Sequence, residues 1–190
     1  MSKNETDEEK RKRIYPIILC EYNPEWPFWY EDEKTNIVNL IGTKNIFRIS
    51  HIGSTAIPGM TAKPTVDILL EINKTTDTGR LKKIFASPDY ICLYGSELTM
   101  PTSPPHLIIL KGYLPNGFAA KVFHIHVRYP NDWDELRFVK YLTDNPSAAA
   151  EYMSLKERLI QEYKHDRDGY TRAKEQFVSN INLKSKEGVV

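Results

Sequence analysis

The sequence predicts an α+β protein in which a mixed β-sheet with flanking helices is followed by a C-terminal helical bundle. Between residues 46 and 129, short apolar runs bounded by Gly, Pro, Asn and Ser are typical of β-strands. From Asp134 onward, apolar residues instead recur every three or four positions, which is typical of amphipathic helices. A chain of 190 residues can form a single domain, with a sheet part at about 14–130 and a helical part at about 134–183.

The predicted elements follow from local signals along the chain. A first helix is predicted over 24–41, because Tyr30, Ile37 and Ile41 form one apolar stripe and Gly42 follows it. The predicted strands are 46–52, 65–72, 90–94, 106–111 and 122–129, with a helix over 78–86 between the second and third. About three further helices are predicted after residue 134.

The charged residues argue against a general attraction to nucleic acid or to a membrane. Lysine plus arginine (26) nearly balances aspartate plus glutamate (25), so an anionic ligand must be bound locally. No apolar run is long enough to span a bilayer, and no signal-peptide pattern follows the charged start, so we expect a cytoplasmic protein. Residues 1–13, which carry neighbouring acidic and basic groups, are predicted to form a disordered charged tail.

The stretch 51–71, HIGSTAIPGMTAKPTVDILLE, carries the main functional signal. Its Gly53-Ser54 turn can offer backbone N–H groups and a hydroxyl to a phosphate. Asp67, 13 positions after Ser54, lies in an otherwise apolar strand, where a carboxylate is costly to bury unless a cation compensates it. Together these features predict a metal-assisted nucleotide site with Asp67 as its catalytic and metal-binding acid. Alternatively, Ser54 only caps the next segment, and Asp67 pairs with Lys63 or with an arginine.

A second group of candidate ligands lies in the predicted strand at 122–129. Because side chains alternate along a strand, His124, His126 and Arg128 share one face. If this strand pairs beside Asp67, one carboxylate and two imidazoles converge. Imidazole favours Mn, Zn, Ni or Fe over Mg, so the identity of the ion stays open. Alternatively, the two histidines hydrogen-bond a phosphate, order a loop or face solvent.

Several cations accompany these residues. Three strand-adjacent cations are predicted to neutralise a triphosphate, namely Lys63, Lys111 and Arg128. Any single lysine among them is also consistent with an ordinary surface charge. In the last helix, spacings of three and four place Arg167, Tyr170 and Lys174 on one side. Tyr170 could stack on a base there, but it also falls on the apolar stripe, which favours core packing.

Four separated motifs occur in order along the chain: YNPEWP at 22–27, HIGSTAIPGMTAKPTVDI at 51–68, HIHV at 124–127 and DRDGYTRAK at 166–174. Together they resemble the GrpB family of small bacterial proteins, over about residues 22–178. The resemblance implies a nucleotidyltransferase-like fold, because that family is assigned to the nucleotidyltransferase-fold superfamily. Some of its members are joined to a dephospho-CoA kinase domain, which we do not expect in this chain.

The resemblance also implies roles for particular residues. In that superfamily a Gly-Ser turn holds the nucleotide phosphates and the first strand acid binds metal, which implies these roles for Gly53, Ser54 and Asp67. Leu69 stands where the second acid of the pattern is expected. Glu71 lies on the same face, but roughly 13 Å of strand separates its Cα from that of Asp67. The resemblance therefore implies the fold and the nucleotide site without a complete set of acids.

These observations predict a metal-dependent nucleotidyltransferase that moves a nucleoside monophosphate from a nucleoside triphosphate to an unknown small-molecule or protein acceptor. The expected cofactor is a divalent metal, Mg or Mn ahead of Zn, held by Asp67, His124 and His126. The residues expected to bind nucleotide are Gly53, Ser54, Thr55, Lys63, Lys111, Arg128 and Lys174. Two alternatives stay open, a non-catalytic module that binds nucleotides or phosphometabolites and a histidine-containing metal phosphohydrolase. No nucleic-acid or membrane partner is expected.

Overall fold

A five-stranded mixed sheet lies at the centre of the computed structural model, which describes residues 5–95, 98 and 103–187. Its strands are β1 (Ile46–Ile52), β2 (Val66–Ile72), β3 (Tyr90–Tyr94), β4 (Leu107–Leu114) and β5 (Gly117–Arg128). The order across the sheet is β1-β2-β5-β4-β3, in which β2 and β5 run parallel and the other neighbours run antiparallel. The predicted α+β class is confirmed, whereas its nucleotidyltransferase-like assignment stays a prediction.

One face of the sheet is covered by helix α2 (Trp26–Ile41), with α3 (Thr78–Ile84) beside it. The predicted stripe of Tyr30, Ile37 and Ile41 is buried on this face and packs against the alternate apolar residues of β2 and β5. The helix begins two residues later than predicted and ends at Gly42, whose φ of 76° suits a residue without a side chain. This layer forms the main core.

The C-terminal part forms the predicted bundle, with helices α4 (Asp134–Asp144), α5 (Pro146–Tyr163) and α6 (Arg167–Glu187). A second core joins this bundle to the loop between β1 and β2, through Ile57, Met60, Phe138, Leu142, Tyr152 and Ile181. The loop that carries the Gly53-Ser54 turn is therefore fixed by the bundle. Among the described residues, none of the helices is both long and apolar enough to cross a membrane.

The predicted disordered tail differs from the structure. Residues 1–4 lie outside the described part of the chain, and residues 7–14 form helix α1 (Asp7–Ile14). A capping box at Thr6 and Glu9 pairs the side chain of each with the backbone N–H of the other. Basic residues in the last turn also suit the helix dipole. Local capping therefore produces a helix where charge composition predicted disorder.

Glu33 of α2 is 1% exposed and ties that helix to the sheet. Its carboxylate accepts hydrogen bonds from the Tyr90 hydroxyl at 2.7 Å and from the Lys111 ammonium at 2.5 Å. Lys111 pairs with Phe123 across the sheet, so it shares the α2 face and not the face of Asp67. The structure therefore does not bring Lys111 to the predicted nucleotide site, and its charge neutralises Glu33.

Replacing Glu33 with alanine is expected to lower the free energy of unfolding by about 3 kcal/mol, because it leaves the Lys111 ammonium partly buried without its counter-ion. Chemical denaturation measures this loss. Glu31→Ala is the matched control in the same helix, since Glu31 forms a solvent-exposed pair with Lys34, and it should cost less than about 0.5 kcal/mol. Equal losses in the two variants would contradict this role for Glu33.

Candidate metal and phosphate site

Asp67, His124 and His126 converge on the sheet face opposite α2. The parallel register of β2 and β5 pairs Asp67 with His124 and Leu69 with His126, so the three polar side chains point to one side. Asp67 Oδ1 lies 3.4 Å from His124 Nδ1 and 3.5 Å from His126 Nε2. One ligand atom from each residue falls within 4.8 Å of the others, which is the arrangement that a single metal ion requires.

The protonation of this cluster suits metal ligation. Burial raises the pKa of Asp67, but hydrogen bonds from His124 and His126 outweigh it and hold that pKa well below its usual range. Burial also lowers the pKa of His124, although Asp67 opposes the shift, so the imidazole is neutral over a wider pH range. The Tyr113 hydroxyl lies 2.6 Å from His124 Nε2, which orients the ring with Nδ1 toward Asp67.

The Gly53-Ser54 turn touches this cluster directly. Ile52, the last residue of β1, pairs with Asp67, so the turn that follows lies beside the carboxylate. Gly53 has a φ of 72°, and a Cβ atom there would lie 2.6 Å from Asp67 Oδ2. Only glycine fits this close approach without displacing the carboxylate. The turn and the acid that the sequence singled out therefore share one site.

Thr55 anchors the Gly53-Ser54 turn through buried contacts. Its side chain is buried, its hydroxyl donates to the Thr65 carbonyl at 3.3 Å, and His51 Nε2 lies 3.0 Å from the same oxygen. These contacts occupy the hydroxyl, which therefore anchors the turn. Nucleotide binding by Thr55 stays a prediction.

Lys156 of α5 reaches the same turn from the helical bundle. Its ammonium donates to Ser54 Oγ at 3.2 Å and to the Thr61 carbonyl. The residue is 2% exposed, and burial lowers its pKa to about 7. The sequence analysis missed Lys156, although a signal was present, because it follows Tyr152 by four positions on the buried side of the helix.

Two further lysines lie at the ring of Tyr170. The ammonium groups of Lys63 and Lys174 are 5.9 Å and 4.3 Å from the centre of that ring. Burial lowers the pKa of Lys63 to about 8, and repulsion from Arg167 adds to the effect. Burial lowers the pKa of Lys174 to about 7, with further repulsion from Lys63. Tyr170 itself is buried, as its place on the apolar stripe predicted.

The remaining predicted ligand, Arg128, lies away from the cluster. In the register of β2 and β5, Arg128 lies opposite Glu71, at the end away from Asp67. Its guanidinium donates to Glu135 at 2.7 Å and stacks on the ring of Trp133, 4.6 Å from the ring centre. The structure therefore does not bring Arg128 to the cluster, and its charge has a carboxylate partner in Glu135. Glu71 is ion-paired with Arg48, which agrees with the expectation that it does not share a metal with Asp67.

Between pH 7 and pH 8.5 the free energy of unfolding is expected to rise with pH. In this range the unfolded chain keeps lysine protons that the folded protein has released, because folding lowers the pKa of Lys63, Lys156 and Lys174. Lys156 alone contributes a slope of up to about 1.4 kcal/mol per pH unit. Urea denaturation at several pH values measures the slope, and Lys156→Met should reduce it. A stability that is flat or falling in wild type would contradict this prediction.

The protein is a mixed α+β domain in which a Gly-Ser turn lies against a cluster of one carboxylate and two imidazoles. The family model described as GrpB protein matches residues 16–184. The chain therefore belongs to the GrpB family, and the resemblance of its four motifs is confirmed.

Individual relatives agree with this assignment. Glutamate-rich protein GrpB of Alkalihalophilus pseudofirmus is 31% identical over 173 residues, which cover 87% of this chain and 93% of that protein. The crystal structure of conserved protein GrpB from Enterococcus faecalis matches with a TM-score of 0.73 and 26% identity, covering 90% of this chain and 98% of that one. A dephospho-CoA kinase of Mycolicibacterium paratuberculosis is 28% identical over 84% of this chain. The chain spans 44% of the length of that kinase.

Proposed function

We propose that this protein is a metal-dependent nucleotidyltransferase, which moves a nucleoside monophosphate from a nucleoside triphosphate to a hydroxyl group of an acceptor. The observation that carries the proposal is the contact between the two halves of the site. The Gly53-Ser54 turn, suited to phosphate, lies against the carboxylate of Asp67, which is suited to a cation. His124 and His126 complete a ligand set for that cation.

The chemistry of the donor atoms favours one ion of intermediate softness. Two imidazoles and one carboxylate fit Mn²⁺, Fe²⁺ or Zn²⁺ better than Mg²⁺, which prefers oxygen ligands. Leu69 is fully buried in the place of a second acid, so the residues present suit a single ion instead of a pair. A bound ion would supply positive charge to the transferring phosphoryl group.

The residues around the ion have distinct tasks in the transfer. The oxygen of the acceptor hydroxyl attacks the α-phosphorus and releases its proton to water. The bond between that phosphorus and the bridging oxygen of the β-phosphate breaks, and pyrophosphate leaves. Backbone N–H groups of the turn at Gly53 and Ser54 bind the phosphates. Lys63, Lys156 and Lys174 stabilise the negative charge that develops on the leaving pyrophosphate.

The proposal is tested by pyrophosphate release from each nucleoside triphosphate, with Mn²⁺ or Mg²⁺ and a panel of hydroxyl-bearing small molecules and proteins. We expect release that depends on the metal and on an acceptor, and that is faster with Mn²⁺. Nucleotide binding without release across the whole panel would instead support a non-catalytic binding module. Isothermal titration with Mn²⁺ should give one site per chain.

A metal phosphohydrolase is a second candidate, favoured by the two histidine ligands. Histidine-containing sites hold Zn²⁺ or Fe²⁺ tightly and activate a bound water for attack on a phosphoester. Metal analysis of the purified protein and phosphate release from simple phosphomonoesters separate the two candidates. Retained Zn²⁺ or Fe²⁺ with release of inorganic phosphate would favour the hydrolase over the nucleotidyltransferase.

A further inference from the structure

We propose that Lys63, Lys156 and Lys174 form a polyphosphate site, which binds a chain of three linked phosphates through charge and needs no metal ion. The proposal rests on the proposed function for the identity of the substrate, a nucleoside triphosphate. It goes further in assigning recognition of the triphosphate chain to these lysines, independently of a metal ion. The binding that it predicts can be measured without any turnover.

The three lysines come from separate parts of the fold and meet at the phosphate turn. Lys63 lies in the loop before β2, Lys156 in α5 and Lys174 in α6. Lys63 and Lys174 share the ring of Tyr170, while Lys156 bonds to Ser54 Oγ at 3.2 Å. Beyond the effect of burial, the three ammonium groups repel one another, because Lys63 lowers the pKa of Lys156, and Lys63 and Lys156 lower the pKa of Lys174. Tertiary structure therefore brings three amino groups together at the turn, where mutual repulsion disfavours their protonated forms until an anion binds.

Lys156 is buried and Lys63 and Lys174 are half-buried, yet these lysines lack the counter-ions that charges in such positions normally have. Within residues 5–95, 98 and 103–187, no carboxylate lies within ion-pair distance of the ammonium groups of Lys63, Lys156 or Lys174. In contrast, Lys111 on the opposite face is fully paired with Glu33. A buried cation without an anion is costly, and several such cations together are costlier still. A bound polyanion removes this cost, so the site favours a ligand that carries several negative charges.

The surroundings also provide hydrogen-bond partners and access for such a ligand. Tyr170 is 1% exposed, and its hydroxyl has no hydrogen-bond partner among the described residues. Tyr152 is also buried, and the Lys156 ammonium lies 4.7 Å from the centre of its ring. Tyr152 and Lys174 also line a cleft of about 400 Å³ between the bundle helices. Lys174 is therefore the lysine of this cluster that borders the cleft.

The position of Asp67 divides the site into two regions. Its carboxylate interacts with Lys63 and Lys174, but it is held closer by His124 and His126. Without a metal this negative charge repels phosphate at the histidines and leaves the lysine side as the favourable region. A metal ion would remove the repulsion, so we expect it to strengthen the binding of a triphosphate without being required for it.

The test is isothermal titration of the full chain with inorganic tripolyphosphate, pyrophosphate and orthophosphate, in the presence of a chelator. We expect the affinity to fall in that order, with at least a tenfold loss for tripolyphosphate in Lys156→Met and in Lys174→Met. Lys184→Met is the matched control, since Lys184 is an exposed lysine of the same helix as Lys174, and its affinity should equal that of wild type. Thermal unfolding of each variant checks its fold, and Lys174→Met serves if Lys156→Met does not fold.

The outcomes separate this inference from the proposed function. Absence of tripolyphosphate binding in wild type, or equal affinity in wild type and in the lysine variants, overturns the polyphosphate site even if nucleotidyl transfer is observed. Metal-free tripolyphosphate binding that is lost in the lysine variants supports it, even if no acceptor yields pyrophosphate. Asp67→Asn should retain this metal-free binding, and its loss in that variant would also count against a site formed by the lysines.

Discussion

Asp67→Asn is expected to remove divalent-metal binding and to lower metal-dependent nucleotidyl transfer by at least about a hundredfold. The amide keeps the shape of the side chain but loses the negative charge that the cation requires. It also replaces the anionic acceptor that faces His124 Nδ1 and His126 Nε2 with a neutral and weaker one, so the remaining two ligands lose part of their alignment. Titration with Mn²⁺ and pyrophosphate release measure the two effects on the same protein.

Asp32→Asn provides the control for charge alone. Asp32 lies on α2 and forms a solvent-exposed pair with Lys121 at 3.3 Å, on the other side of the sheet from the cluster. Asp32→Asn removes one negative charge without changing the cluster, so metal affinity and nucleotidyl transfer should match those of wild type. Undiminished Mn²⁺ affinity in Asp67→Asn would show that the metal site lies elsewhere.

Gly53→Ala is expected to destabilise the protein by about 1–3 kcal/mol and to weaken metal binding by roughly 10- to 100-fold. The destabilisation comes from backbone strain, because Gly53 combines a φ of 72° with a ψ of −174°, which residues with a side chain avoid. The weaker binding comes from contact, because the new methyl group would lie 2.6 Å from Asp67 Oδ2 and must displace it. Denaturation and Mn²⁺ titration measure the two effects.

Gly59→Ala separates strain from contact within the same loop. Gly59 also has a positive φ, 76°, but a Cβ atom there would meet nothing within 4 Å. We therefore expect this variant to lose stability while its metal affinity stays at the wild-type value. If both variants weakened metal binding equally, general distortion of the loop, and not the approach of residue 53 to Asp67, would be responsible.

The shared sheet face of His124 and His126 could be predicted from the sequence, because it depends only on the alternation of side chains along one strand. Alternation along a strand fixed His124 and His126 on one side of β5, whatever the rest of the chain does. Their position beside Asp67 depended on the pairing of β5 with β2, which no local pattern determines. For the same reason the side of the sheet on which Lys111 lies could not be read from the sequence, since it depends on the register of β4 against β5.

The charges of the site were harder to predict than its backbone. A basic residue near a strand has the same local sequence whether or not it meets a carboxylate in the fold. Lys111 pairs with Glu33 and Arg128 with Glu135, whereas Lys63 has no carboxylate within ion-pair distance among the described residues. Lys156 was missed because polar residues on a helical stripe are usually solvated at its edge. By contrast, the helix near the N-terminus had a readable signal, since Thr6 and Glu9 have the spacing of a capping box.

The parallel pairing of β2 with β5 has a consequence for how the protein folds. Between these two strands the chain passes through α3, β3 and β4, so the pairing closes a long loop and has a high contact order. Asp67 and its two histidines become neighbours only when that closure is complete, and an unfolded chain offers no comparable chelate. A cation that binds there would therefore stabilise only the state in which this pairing has formed, and at about 100 times its Kd it would stabilise the native state by about 2.7 kcal/mol.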